Sequence, residues 1–490
     1  MSNCEDISTY IGQKGYSIYK DCISVSEQQW LREELTVRPY IPKSPVQPPS
    51  FPIYKESPNK LYIPRFFGND TYGFPDEDRN DKYIPINIDF KGELRDYQTN
   101  IVNLYCNQIK TNGGGGLLEI PCGRGKTVIA LNIISQVKVK TLVIVHKGFL
   151  LNQWVERIKD FLPTARVGKI QGQIIDTENK DIVIGMLQSL SMKEYPTDMF
   201  AEYGLTIVDE CHHISSEVFC RSLQKIVTKY TLGLSATMQR KDGLTRVFKM
   251  FLGDIIYKEK REATDNVIVK SIKYITDDDE FNETKYDFRG NVQHSSMISK
   301  LCAYNRRTEF IIKVLETELK EKEGQQIMIL AQNKNVLNYL FKAIEHRRIA
   351  TVGYYIGGMK DEDLKISERK TIIIATYAMA AEALDIKTLT TLILATPRSD
   401  VIQAVGRILR VKHERPLVID IVDSHEVFCK QWMKRFAFYK KNKYLTLQSD
   451  NEKYESNNWE ILYDPKNAKK YKKTKNNEFG KGKCLITFGS

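Results

Sequence analysis

From about Phe90 onward, short runs of aliphatic and β-branched residues alternate with longer stretches whose apolar positions recur at helical spacing. The apolar runs are nearly continuous instead of alternating with polar residues, which predicts parallel strands covered on both faces. Leu117–Ile120, Leu142–Val145, Ile182–Ile184, Leu205–Val208 and Thr231–Leu234 form a first series of such strands, with helical patterns between them. A second series comprises Ile327–Leu330, Val352–Tyr355, Thr371–Ala375, Thr391–Leu394 and Leu417–Ile421. The fold class is therefore α/β, with two parallel-sheet lobes in tandem.

The flanks have a different texture. Residues 1–90 are rich in proline and tyrosine, as in Pro39-Tyr-Ile-Pro42 and Pro45-Val-Gln-Pro-Pro49. No long helix can run through such a stretch, and an irregular, partly extended accessory region packed on the neighbouring α/β lobe is expected. Residues 258–300 are polar, carry Thr276-Asp-Asp-Asp-Glu280, and read as a linker. The first lobe is then 91–257 and the second 301–444. Residues 445–490 read as a basic tail, with Lys466-Asn-Ala-Lys-Lys-Tyr-Lys-Lys-Thr-Lys475 either solvated or in contact with nucleic acid.

Composition narrows the partners. The 490 residues exceed what one core usually organises, and 42% hydrophobic with 27% charged residues is ordinary for a globular chain. No run has the apolar length needed to cross a bilayer, so no membrane association is expected. A net charge of +12 favours a polyanion, nucleic acid before a membrane surface. The nine cysteines form no CxxC pair and suit a reducing intracellular compartment, while Cys211-His212-His213 lacks a second ligand pair at zinc spacing. The amino terminus has no basic-then-apolar leader pattern, so secretion is not expected.

The chemistry centres on Glu119-Ile-Pro-Cys-Gly-Arg-Gly-Lys-Thr127, where an apolar strand gives way to a glycine-bearing turn and a helix start. The turn Pro121-Cys122-Gly123-Arg124-Gly125 can cradle nucleotide phosphates with the backbone N–H groups that follow Pro121 and those of the helix start, Lys126 can reach the β and γ oxygens, and the Thr127 hydroxyl can ligate Mg²⁺. The strict GxxxxGK[ST] pattern is not met, because Ile120 stands where its first glycine would be. Asp209 and Glu210 come after an apolar strand, where one carboxylate can hold Mg²⁺ through water and the other can orient and deprotonate an attacking water. Ser235-Ala-Thr237 comes after the next strand with two hydroxyls near that pair, or with a helix cap. In the second lobe Gln403-Ala-Val-Gly-Arg-Ile-Leu-Arg410 spaces Arg407 and Arg410 for one helical face, suited to spreading γ-phosphoryl charge.

Taken in order, these stretches resemble the motifs of superfamily-two helicases and translocases over about Leu94 to Arg410. Leu94-Arg-Asp-Tyr-Gln98 resembles the adenine-reading entry motif, Pro121 to Thr127 motif I, Leu142 to Trp154 motif Ia, and Gly185 to Leu190 motif Ib. Asp209 to His212 resembles motif II, Ser235 to Thr237 motif III, Ile329 to Asn333 motif IV, Ala375 to Asp385 motif V, and Gln403 to Arg410 motif VI. The Asp-Glu-Cys-His box and Arg240-Lys-Asp-Gly243 are similar to the XPB-like branch of DNA translocases, which carries glutamate where this chain has Lys241. Leu35-Thr-Val-Arg-Pro-Tyr40 and Ile63-Pro-Arg-Phe-Phe-Gly68 extend the likeness to the transcript-release helicases of poxviruses and other large cytoplasmic DNA viruses.

The resemblance implies two RecA-like lobes, ATP and Mg²⁺ as cofactors, and ATP contacts through Arg95, Gln98, Lys126, Thr127 and Asp385. It implies catalysis by Lys126, Glu210, Gln403, Arg407 and Arg410, metal contact through Thr127 and Asp209, and phosphate contacts to a strand near His146, Lys147, Gln188, Gln332 and Thr376. The expected activity is ATP-driven movement on nucleic acid, DNA ahead of RNA, in viral transcription or repair, by a monomer or weak oligomer working with transcription machinery in the host cytoplasm or virion. An RNA helicase and a nucleotide-dependent scaffold with little turnover remain the alternatives.

Overall fold

The computed structural model describes residues 9–40, 47–121, 123–196, 198–213, 216–238, 244–259, 266–382, 386–409, 413 and 415–467. The chain divides into two compact units, Met1–Lys260 and Arg261–Ser490. Each contains an eight-stranded sheet of seven parallel strands and one antiparallel edge.

In the first unit the sheet order is Ile174–Asp176, Val167–Gln171, Ile182–Met186, Thr141–Val145, Leu205–Val208, Tyr230–Ser235, Gly115–Glu119 and Ile255–Lys258. Its central strands are apolar throughout because both faces are covered. Leu142 and Ile144 enter one core with Val183 and Val208, while Val143 and Val145 enter the other with Ile184 and Ile207. All five strands expected from the apolar runs are present. The hairpin 167–176 and the edge strand 255–258 had no comparable run: Val167–Gln171 alternates half-buried with buried positions, Ile174–Asp176 is exposed, and Ile255–Lys258 is half-buried to exposed.

The amino-terminal region is more regular than its prolines suggested. Lys55–Glu56, Lys60–Ile63, Gly15–Tyr19, Thr9–Gly12 and Glu77–Asp78 form a small, mainly antiparallel sheet, and helices Val25–Glu34 and Arg65–Tyr72 pack beside it. Tyr16, Ile18, Leu61 and Ile63 join the same core as Leu142 and Val208, so the accessory region covers one face of the first large sheet. Arg65 fastens it by donating to the carbonyls of Thr228 and Lys229 at 2.9 and 2.7 Å.

The second sheet runs Val352–Tyr355, Ile372–Thr376, Gln326–Ala331, Leu389–Leu394, Leu417–Asp423, Ile268–Tyr274, Leu445–Asp450 and Glu460–Tyr463. Its first five strands coincide with the second apolar series. Ile268–Tyr274, inside the expected linker, pairs in parallel with both Leu417–Asp423 and Leu445–Asp450. Its lysines interrupted the apolar pattern, yet Lys270 folds onto Glu318 and Glu321 at 2.6 and 2.8 Å. The tail expected from residue 445 likewise begins with the last two strands of the sheet, and its lysine-rich part beyond Asn467 lies outside the described residues.

Two buried ion pairs clamp helices to this sheet. Asp420 and Asp423 stand three residues apart on one strand and so face opposite sides. Arg307 reaches Asp423 with two bonds of 2.5 and 2.9 Å, and Arg435 reaches Asp420 at 2.8 and 2.9 Å with the Tyr439 hydroxyl adding a third donor. Such two-pronged geometry is what makes a buried charge tolerable. Long-range arginine partners leave no periodic signal in the sequence, although two aspartates within the apolar strand Leu417–Asp423 are a visible anomaly.

Candidate active site

Five parallel strands of the first sheet share a register that passes through Gly185, Ile144, Val208, Gly233 and Leu117, so the turns after them open along one edge. The edge of an open parallel sheet at the carboxyl ends of its strands is where α/β folds gather ligand-binding groups. After Glu119 the chain turns through Gly123 and Gly125, with φ of 82° and 77°, into the helix Lys126–Val137. Glycine suits position 125: a Cβ there would sit 2.4 Å from the Gln98 side-chain nitrogen, at a φ that strains residues with a side chain.

Gln98 is itself buried. Its Oε1 accepts from the Arg95 backbone N–H at 3.0 Å and its Nε2 donates to the Arg124 carbonyl at 3.2 Å, a contact the Tyr97 hydroxyl repeats at 3.1 Å. The Arg124 guanidinium lies 3.9 Å from the centre of the Tyr97 ring and pairs with Glu259 at 2.7 Å. The entry motif and the glycine turn are thus one hydrogen-bonded unit, and Glu259, just past the last edge strand, is a member that sequence reasoning missed.

Opposite the turn, Lys126 Nζ stands 2.6 Å from Glu210 Oε1. Glu210 adopts a φ of 47°, a left-handed backbone unusual for a residue with a side chain. Asp209 is buried; its Oδ2 accepts the Trp154 indole N–H at 2.8 Å and its Oδ1 accepts the Glu210 backbone N–H at 3.0 Å. Burial, then the neighbouring Glu210 charge, push the Asp209 carboxyl up to about 6, against the opposing pull of Lys126 and the two donors. Thr127 stands next to Lys126 in the first turn of the helix.

Ser235 ends its strand with Oγ 2.6 Å from His212 Nδ1, and His212 Nδ1 lies 3.4 Å from Glu210 Oε2. The hydroxyl expected near the carboxylates thus meets them through His212. Cys211 turns the other way into the core, its Sγ 3.9 Å from Met238 Sδ, so adjacent Cys211 and His212 serve separate surroundings.

Further along the edge, Gln188 Nε2 donates to the His146 carbonyl at 3.2 Å, bringing the motif Ia and Ib residues together, and burial lowers the Lys147 ammonium below its ordinary range. In the second unit, Gln332 and Thr376 lie at the ends of adjacent strands, with Ala331 opposite Thr376. Gln332 Nε2 donates to the Pro397 carbonyl at 2.8 Å, and Thr376 Oγ1 accepts the Met379 N–H at 3.4 Å.

Of the stretch Gln403–Arg410 the structure describes residues 403–409. The helix spans Ile402–Arg407, Ile408 caps it, and Arg407 is buried in its own unit with Nε donating to the Ala380 carbonyl at 2.8 Å. Gly406 at that point interrupts helix propensity, which accounts for the early end. Cys122, Asp385, Arg410 and the Arg240–Gly243 stretch lie outside the described residues.

Residues 91–240 match the family model described as Type III restriction enzyme, res subunit, and residues 308–412 match the Helicase conserved C-terminal domain. A protein of Acanthamoeba polyphaga mimivirus, named as the ATP-dependent RNA helicase L396, is 36% identical over 454 residues, covering 90% of this chain and 86% of the relative. The DNA 3'-5' translocase XPB2 of Sulfurisphaera tokodaii is 26% identical over 68% of this chain and 82% of its own. Among solved structures, S. cerevisiae Dbp5 bound to RNA and ADP BeF3 matches with a TM-score of 0.50 at 12% identity, over 76% of this chain and 92% of that one, a likeness of fold. Motif order, the two parallel sheets and the viral relative agree: the chain belongs to the superfamily-two helicases and is a nucleic-acid-dependent ATPase.

Proposed function

We propose that the chain hydrolyses ATP with Mg²⁺ at the Lys126–Glu210 corner to drive translocation along DNA, in the service of viral transcript release or repair. The observation that carries this reading is the 2.6 Å contact of Lys126 with Glu210 beside the buried Asp209, at the mouth of a glycine turn. In-line phosphoryl transfer needs a cation on the phosphates and an oriented water, and these side chains are placed to supply both. A triphosphate entering the turn takes Lys126 from Glu210, which leaves Glu210 able to orient and deprotonate the attacking water. Asp209 fits a divalent cation: a carboxylate raised by burial and then by the neighbouring Glu210 charge is stabilised by added positive charge, and Thr127 is the hydroxyl of the adjoining helix turn. Mg²⁺, when bound, neutralises charge on the phosphates. Gln98 with Arg95 would hold the base, Asp385 would add a nucleotide contact, and Gln403, Arg407 and Arg410 would complete the catalytic set.

Phosphate contacts through His146, Lys147, Gln188, Gln332 and Thr376 would make binding nearly independent of sequence. DNA is favoured on the likeness to the archaeal DNA translocase, whereas the mimivirus relative's name favours RNA. Host cytoplasm and a transcription partner rest on the viral likeness alone. ATPase turnover measured with single-stranded DNA, duplex DNA and RNA tests the reading. DNA should stimulate more strongly; stimulation by RNA alone would transfer the assignment to an RNA helicase, and absence of turnover with every nucleic acid would return it to a nucleotide-dependent scaffold.

A further inference from the structure

The turn between Gly123 and Gly125 offers the fold one side chain by which to hold it. Both glycines have positive φ, 82° and 77°, and glycine has more conformational freedom to lose than any other residue, so the shape of the turn has to come from its contacts. Arg124, between them, makes those contacts. Its N–H donates to the Pro121 carbonyl at 3.4 Å, its carbonyl accepts from Tyr97 and Gln98, and its guanidinium lies on the Tyr97 ring and pairs with Glu259 at 2.7 Å.

Glu259 is in turn fixed by the strand that precedes it. Ile255–Lys258 runs parallel to Gly115–Glu119, with Tyr257 opposite Leu118 and Lys258 opposite Glu119. The two strands are in close contact, since a Cβ on Gly116 would meet the Ile256 side chain at 2.1 Å. The Leu117 N–H donates to the Asp254 carbonyl at 2.8 Å near one end of the pair, and the Glu259 N–H donates to the Glu119 carbonyl at 2.9 Å at the other. Lys258 takes the Glu119 carboxylate at 3.0 Å, and the half-buried Glu259 carboxylate goes to Arg124.

We propose that Glu259 is a positioning residue for the nucleoside triphosphate: acting through Arg124, it holds the Gly123–Gly125 turn in its phosphate-binding shape, and so sets nucleotide affinity and not the rate of phosphoryl transfer. The inference rests on the reading that ATP binds at this turn. A turn ordered in advance spares the ligand the entropy of ordering it, which raises affinity. The groups assigned to hydrolysis are held by other partners, Lys126 and Glu210 by each other and Asp209 by Trp154, so loss of the Glu259 carboxylate leaves them in place.

The test measures equilibrium binding of a fluorescent ATP analogue, its displacement by inorganic tripolyphosphate, and the steady-state ATPase rate at saturating ATP. It uses the full chain and its Glu259→Ala, Glu259→Gln, Arg124→Ala, Glu259→Ala with Arg124→Ala, and Lys126→Ala variants, each checked for folding by circular dichroism. Glu259→Ala should weaken both ligands by about tenfold, the scale of one charge-assisted hydrogen bond. Glu259→Gln, which keeps the shape of the side chain and loses its charge, should act in the same direction, and both variants should keep the saturated rate within about twofold of the parent. The double variant should bind no more weakly than Arg124→Ala, because the carboxylate acts through the guanidinium. Weaker ATP binding with unchanged tripolyphosphate binding would assign Glu259 to the base, a fall in the saturated rate would assign it to the chemistry, and additive losses in the double variant would make the two residues independent; each result overturns the inference. Undiminished affinity in the Glu259 variants beside a loss in Lys126→Ala overturns it while leaving the nucleotide site in place. Undiminished affinity in Lys126→Ala as well overturns both.

Discussion

The indole N–H of Trp154 donates to the buried Asp209 carboxylate across 2.8 Å, joining the helix Gly148–Phe161 to the end of the strand Leu205–Val208. The tryptophan is 1% exposed, so the bond is shielded from water and Asp209 has one fixed direction. A carboxylate held in this way is oriented before any cation or phosphate arrives.

Trp154→Phe keeps most of the ring's packing and removes the donor. Loss of a hydrogen bond to a charged group costs about 1.5–3 kcal/mol, read by denaturant unfolding. The donor favours ionised Asp209, so its loss raises the carboxyl further above about 6 and the acid limb of the ATPase pH profile should move to higher pH. The linkage has the matching sign: a raised folded-state carboxyl holds its proton where the unfolded chain has lost it, so stability from this group falls as pH rises through that window. An acid limb that stays in place would separate Asp209 from the reaction.

Lys126→Ala should abolish nucleic-acid-stimulated ATPase while leaving the sheet folded, because Lys126 is half-buried at the helix start and not part of either core. Turnover and circular dichroism on the same preparation check it. A folded variant with retained turnover would displace the nucleotide site from this corner.

Glu210→Gln should still bind ATP and hydrolyse it slowly, since it removes the base and retains Asp209. Nucleotide binding followed by fluorescence, beside single-turnover hydrolysis, separates the two steps. Binding lost as fully as in Lys126→Ala would show that Glu210 serves binding instead.

Arg307→Met should destabilise the second unit by about 3–5 kcal/mol, because it leaves Asp423 buried without its counter-charge. The double change Arg307→Met with Asp423→Leu should recover a large part of the loss. Thermal unfolding of the parent and the two variants decides this, and a single variant within about 0.5 kcal/mol of the parent would contradict the burial of the pair.

Truncation after Asn467 should leave the second sheet folded and lower the salt dependence of DNA binding if the lysine-rich stretch touches the strand. Truncation after Tyr444 removes Leu445–Asp450 and Glu460–Tyr463, and should unfold that unit. Limited proteolysis and binding at several salt concentrations distinguish the two truncations. An equally stable shorter chain would mean that those strands contribute little.

The sequence by itself determined the two α/β lobes and their central strands, because strands covered on both faces must be apolar at every position and so announce themselves. It also determined the order of the chemical motifs, since a glycine turn before Lys126 and two carboxylates after an apolar strand are local features. Ile268–Tyr274 and Leu445–Asp450 escaped notice because edge-ward strands carry polar residues, and a charge such as that of Lys270 is met only by distant partners such as Glu318. The tertiary structure alone decided that Trp154 holds Asp209, that Glu259 closes on Arg124, and that Arg307 and Arg435 meet two aspartates of one strand. Most of those relationships join residues far apart along the chain, and hydrogen-bond geometry and desolvation act only on groups that folding has already brought together.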